Sequence, residues 1–246
     1  MSRKRVTVAT AAVMVVVFGS LAVLGNLGGV AGFVLGAILV PLFASPVEWC
    51  VHRFVYHEPV FRPLKAIFTV HTAHHYAFFP TRRYVTNGPA RRLAIRNRAP
   101  DIHISAMGNA RVRLAHWSWY MAFAMVLLWV PAWFLTRNGT LIVGMIASSC
   151  VVANLFIVVH DTIHRPGSHR IVEAQPWYAF LDNHHYVHHV DLGVNLNFLL
   201  PLADWMFGTL RRTLTSEELA AHGSLDDAKR TRVGNGERAR DSAAAG

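Results

Sequence analysis

The chain has 246 residues, is 53% hydrophobic with a mean hydropathy of +0.30, and carries a net charge of +10. That length suits one domain with a tail, and two cysteines, Cys50 and Cys150, exclude a disulfide framework. The basic charge accompanies no nucleic-acid recognition module, so nucleic acid is not an expected partner.

In chain order, residues 1–5 form a short basic end. Residues 6–47 hold no charged side chain; with roughly 20 apolar residues needed per crossing, this run is long enough for two helices. Asn26-Leu27-Gly28-Gly29 is the turn between them, because Asn and Gly break helices cheaply. A basic start followed by an apolar run also fits a signal peptide. However, residues 6–24 are long for such a core and a second apolar run follows. Residues 117–136 and 140–159 are again uncharged and are joined by Arg137-Asn138-Gly139 as a tight hairpin. The expectation is an all-α, four-span integral membrane protein, with a membrane domain over residues 6–212. Within it, residues 195–210 are interrupted by Pro201 and Asp204 and read as an interfacial segment anchored by Trp205 and Phe207. Residues 213–246 read as a polar, largely disordered tail, in which Thr215-Ser216-Glu217-Glu218 has the pattern of a capping box.

Charge sets the expected orientation. Of 24 Lys and Arg, three lie in residues 1–5, eleven in 48–116 and nine in 160–246, leaving Arg137 alone on the other side. The positive-inside rule makes the termini and the long middle segment cytoplasmic. The same charge favours anionic lipid headgroups. Arginine greatly outnumbers lysine, and a bacterial inner membrane is the expected location.

Ten of fifteen histidines fall into four boxes: His52 and His57 in "HRFVYH", His71, His74 and His75 in "HTAHH", His160 and His164 in "HDTIH", then His185, His188 and His189 in "HYVHH". Positions i, i+3 and i+4 share a helix face, so each of the last three boxes presents its imidazoles together. His52 and His57 are five apart, about 140° round a regular helix, and share a face only if the helix ends or bulges between them. The expectation is His52 on the helix end and His57 just past a break, with Glu58-Pro59 stopping the helix. The first and third boxes begin where spans two and four end, so all four boxes converge just under the membrane. Ten imidazoles without a thiolate are too many for one tetrahedral zinc site and suit two ions close together. Glu48, Asp161, Asp182 and Asp191 are candidates to accept the other ring N–H of a ligand. His184 either supports the site in this way or replaces His185 in the metal set. His103, His116, His169 and His222 read as surface side chains, and Tyr56, Tyr76, Phe78, Phe79, Trp177 and Tyr178 as an interfacial aromatic belt.

The order and spacing of the four boxes resemble the integral-membrane fatty acid hydroxylase/sterol desaturase superfamily. The likeness runs over about residues 44–210 and includes "EWCVHR" before the first box and "NLNFLLPLADWMFGTLRR" after the last. The resemblance implies two iron ions ligated by the ten box histidines, with zinc as an alternative occupant. It also implies O2-dependent hydroxylation or desaturation of a C–H bond in a lipid. It implies no catalytic residue beyond the metal centre. Some members carry a fused cytochrome b5 domain for which this chain has no room, so electrons are expected from a separate protein. "HDTIHR" is also similar to a box of the carotenoid hydroxylases, which keeps a carotenoid or sterol-type substrate as the alternative to an acyl lipid. A metal transporter or sensor is the alternative from another class; transporters place ionisable groups at the bilayer midplane, where these spans offer little beyond Asn154.

The charge asymmetry makes a direct prediction. Reporter fusions at Asn138 and after the C-terminal residue should lie on opposite sides of the membrane; signals from one side would refute four spans.

Overall fold

The computed structural model describes residues 3–57, 68, 71, 74, 75, 110–164 and 167–218. Every regular element among the described residues is helical. Helix α1 (Arg3–Leu24) turns into α2 (Gly29–Val51), which continues as a π-helical turn over His52–Tyr56. Helix α3 (Ala110–Ala124) passes through a second π-helical turn, Met125–Trp129, into α4 (Val130–Thr136). Then come α5 (Gly139–His164) and the shorter α6 (Arg170–Glu173), α7 (Tyr178–Val190) and α8 (Leu202–Phe207).

Three helical stretches are long and apolar enough to cross a membrane: Gly29–Tyr56, Arg113–Thr136 and Gly139–His164. Val8–Leu24 is a shorter apolar helix. Their outward faces are apolar, with Val15, Val30, Trp119, Val126 and Phe134 all exposed. The inward faces meet in a core of Val17, Leu21, Leu39, Phe43, Leu128, Leu141 and Met145.

One side chain ties the two hairpins together. Asn138 donates from Nδ2 to the carbonyls of Gly25 and Leu27, while its Oδ1 caps α5 by accepting from the Thr140 and Leu141 N–H groups. The α1–α2 turn and the α4–α5 turn therefore lie side by side at one end of the bundle.

Helix α2 packs most extensively on α5, and its sequence explains why. Pro41 has no N–H for the carbonyl of Ala37, one turn earlier. Ser148 of α5 supplies the missing donor, with Oγ 2.8 Å from that oxygen. In an apolar surrounding such replacement of a lost backbone bond is what keeps an interior proline tolerable. Pro131 has the same effect on α3–α4: it cannot donate to Leu127, and the Val130 N–H reaches back five residues to Met125. Close approach of α2 and α5 depends on glycine. A Cβ on Gly36 would strike the Leu141 carbonyl, and one on Gly144 would strike that of Phe33.

Residues 191–215 fold back over the end of α2. Phe207 is buried against Trp49, ring centroids 4.6 Å apart, so it packs inward and does not anchor an interface. Trp205 is 70% exposed. Tyr178 of the expected aromatic belt is likewise fully buried, while Tyr76, Phe78 and Phe79 lie outside the described residues. The capping box forms, with the Glu218 N–H donating to Thr215 Oγ1 and the Thr215 N–H to Glu218 Oε2.

Gly36→Val and Gly144→Val should each lower the thermal midpoint in detergent, by the ~1–3 kcal/mol typical of overpacking. Gly19→Val should cost less, because nothing lies within 4 Å of its would-be Cβ. Equal effects at all three positions would refute the close-contact account.

Candidate metal centre

The first box depends on its π-helical turn. The His57 N–H donates to the His52 carbonyl at 3.1 Å, an i to i+5 bond. That register turns two residues five apart toward the same side, and their rings stack at 4.9 Å and 12°. Such turns recur at functional sites. His164 ends α5, while His185, His188 and His189 line one face of α7. His71, His74 and His75 are helical.

Nine histidines fall into two groups whose nitrogens lie within 4.8 Å of one another: His52, His57, His71, His75 and His188 in one, His74, His164, His185 and His189 in the other. The groups adjoin, with the His75 and His189 rings 4.2 Å apart. His160, the tenth box histidine, is in neither set but stands beside the second. Its ring is 4.7 Å from His164, 4.9 Å from His74 and 4.9 Å from His185.

The donor set fits metal ions. His71 Nε2 has the Nε2 atoms of His75, His52 and His57 at 2.8, 3.0 and 3.4 Å. His185 Nε2 has those of His164 and His189 at 3.0 and 3.1 Å. A nitrogen carries at most one proton, so one ring cannot donate to three neighbours. Nitrogens bound at about 2.0–2.1 Å to a shared ion stand about 3 Å apart, as these do.

Tautomers follow from two backbone contacts. His52 Nδ1 donates to the Leu196 carbonyl at 2.6 Å and His188 Nδ1 to that of Val194 at 2.7 Å. In the neutral rings this leaves both Nε2 lone pairs bare and facing the group. Burial first, and then the neighbouring imidazoles, hold His71, His75, His185 and His189 well below the usual histidine range. Burial and the Arg53 charge push His57 down to about 4. Burial and His57 push His188 down to about 3. Neutral imidazole is the ligating form.

The candidate supporting residues take more varied roles than their spacing suggested. Glu48 does not serve His52; its carboxylate accepts the Phe198 N–H at 3.0 Å and holds the Asn197 amide at 3.4 Å. Asp161 is buried and pairs with His169 Nε2 at 3.2 Å, so His169 is more than a surface side chain. Asp182 is buried and accepts from Tyr178 Oη at 3.5 Å. Asp191 pairs with Arg211 at 3.0 Å. His184 points away from both groups and donates to the Asn197 carbonyl at 2.7 Å, which leaves His185 in the metal set. Phe198 and Phe156 close one side of the second group: Phe198 lies 5.1 Å from His185, and Phe156 stacks on His160 at 5.8 Å. Tyr56 covers His71 at 4.7 Å.

A cleft of about 760 Å³ runs along α5 beside α3, lined by Arg113, Trp117, Cys150, Asn154, Val158 and Asp161 among others. Its Asp161 end is the end of α5 that carries His160 and His164.

No protein-family model matches the chain, and neither a curated protein nor a solved structure does.

Depressed histidines make the metal-free protein acid-sensitive. Below about pH 6.5 the unfolded chain takes up protons that folded His57 and His188 refuse until about 4 and about 3. Their contribution is therefore complete above that pH and is lost as the pH falls through this window. The thermal midpoint of metal-stripped protein should be lower at about pH 5 than at about pH 7.5; an unchanged midpoint would contradict the buried, neutral centre.

Proposed function

We propose that the chain is a membrane oxygenase that hydroxylates a C–H bond of a fatty acyl lipid, using two iron ions, O2 and electrons from a separate protein. It crosses the membrane four times, with both termini and the histidine centre on the cytoplasmic side. The observation that carries this reading is the pair of adjoining, histidine-only groups, each of which takes one ligand, His52 or His164, from the last turns of a long apolar helix.

Several features support it. An all-imidazole donor set suits iron as well as zinc and does not by itself select between them. Two groups separated by one ring contact suit a dinuclear centre. Helix ends lie at the depth of lipid headgroups, where a bilayer-resident substrate can reach the site, whereas transport would call for ionisable groups near the midplane. The cleft beside α5 has mainly apolar walls with Arg113, Asp161 and His169 among them, a combination suited to an amphiphile.

Bound iron would supply the activation of O2. One oxygen atom would enter the C–H bond to give C–OH and the other would leave as water, with two electrons from the separate protein and two protons from solvent. The chain's own residues have three tasks. His52 and His188, held through Nδ1, keep their Nε2 atoms aimed. His57, His71, His75, His185 and His189, all held below the usual histidine range, stay neutral and so take no proton from the reaction. Phe156, Phe198 and Tyr56 pack apolar rings against His160, His185 and His71 and limit the approach of water on those sides.

Cells expressing the protein under ¹⁸O2 should accumulate an acyl lipid with one labelled hydroxyl, and the product should fall at least ~100-fold in His74→Ala while His222→Ala retains it. A labelled carotenoid would move the substrate class. No labelled lipid or pigment, with reductant supplied, would overturn the oxygenase reading.

A further inference from the structure

We propose that Asp204, together with Asn197, is a positioning residue for the five-histidine group. The two residues fix the segment 194–200 so that its carbonyls hold His52 and His188 in register. This rests on the metal-centre part of the function proposed above.

Asp204 is fully buried in the short helix α8. Its Oδ1 accepts the Leu196 N–H at 2.8 Å and the Thr209 hydroxyl at 2.7 Å; its Oδ2 accepts the Asn197 N–H at 2.8 Å. Leu196 is thus held on both sides of its backbone: its N–H by Asp204, its carbonyl by His52 Nδ1. Asn197 carries the segment across to α2, the helix that ends in His52. Its Nδ2 donates to the Ser45 carbonyl at 2.6 Å, and its Oδ1 accepts the Asp204 N–H at 3.1 Å and the Ser45 hydroxyl at 3.2 Å. Val194 is reached from the other side. The Thr209 N–H donates to the Asp204 carbonyl, and the fold-back closes with the Asn195 N–H on the Thr209 carbonyl at 2.9 Å. Asn195 takes a left-handed backbone, φ 53°, which asparagine tolerates. Immediately before it, the Val194 carbonyl receives His188 Nδ1.

The arrangement is selective. Both ligands that hydrogen-bond to segment 194–200 belong to the five-histidine group, and His184, which bonds to it and lies 3.5 Å from Asp204 Oδ2, belongs to neither group. The segment meets the four-histidine group only through the Phe198 ring, which packs on His185 without a hydrogen bond. Damage to the segment should therefore weaken one metal position and spare the other.

Asp204→Asn tests this with little change of size, because it sets an amide donor against a backbone N–H. Zn2+ binding to metal-stripped protein is measured by calorimetry, alongside the thermal midpoint. Wild type should bind two equivalents. In Asp204→Asn one equivalent should weaken by roughly 10–100-fold, the usual effect of losing such support, with the other unchanged. Leu128→Ala, in the core of the helical bundle, is the stability control and should keep both equivalents despite a lower midpoint. Ser45→Ala removes only hydroxyl contacts to Asn197, Leu200 and Ala203, and should show the same selective loss in milder form should Asp204→Asn not fold. Two unweakened equivalents in both variants, or equal weakening of the two, would overturn the proposal. Wild-type protein that binds no Zn2+ would instead overturn the metal centre itself.

Discussion

Imidazole nitrogens crowded to about 3 Å can pair through an N–H only two at a time, so in clusters of this kind the surplus lone pairs repel one another and call for a cation. The ring contacts bring four separate stretches of chain together, among them the ends of α2 and α5 and one face of α7. Burial removes the option of relieving the repulsion by protonation, since a charged imidazole in that surrounding is costly. What remains is a set of neutral lone pairs whose directions must be fixed by something outside the set.

Two kinds of support supply that. Along α2 and α5, the backbone bond lost at Pro41 is replaced and glycines let the helices touch, so the ends that carry His52 and His164 are held at a common level. Over those ends lies the segment 191–215, which contributes backbone carbonyls. Its own polar groups are satisfied by Ser45, Glu48, Asn195, Asn197, Asp204 and Thr209, most of them buried. A polar network of this kind is worth its desolvation only when it is nearly complete, and here each element has an identifiable partner.

How much of this was legible in the sequence depends on which group carries the signal. Apolar runs and their Asn/Gly turns marked the long helices, because a helix needs length and hydrophobicity to stand in lipid. Spacings of three and four placed the second, third and fourth boxes on helix faces. The spacing of five in "HRFVYH" required a break or bulge; the helix does not end at His52 as expected but continues as a π-helical turn through Tyr56, because one i to i+5 bond already brings His57 round to His52. The capping box at Thr215–Glu218 was also readable, since both of its partners are side chains at a fixed offset. Ligand support was not. His52 and His188 are served by main-chain carbonyls of Leu196 and Val194, which leave no mark on side-chain identity, whereas the acceptors visible in the sequence are the carboxylates of Glu48, Asp161, Asp182 and Asp191. His184 and His185 could not be told apart by spacing, because His184 is also one turn from His188. Only the position of the 194–200 segment turns it outward.

Asp204 shows where the missing signal lay. In an apolar stretch between Leu200 and Phe207, a carboxylate with no cationic neighbour in sequence was an interruption that argued against a membrane span. Its burial gives the interruption a positive meaning, because a carboxylate removed from water must find donors, and backbone N–H groups of a fold-back segment are the donors within reach. The same need that makes the residue awkward in a helix makes it effective at pinning irregular backbone. Irregular backbone is in turn what frees a carbonyl to face a histidine: within a helix or sheet the Leu196 and Val194 oxygens would already be engaged. A centre built on regular helices thus requires one irregular segment to orient it, and that segment requires a buried acid to hold it.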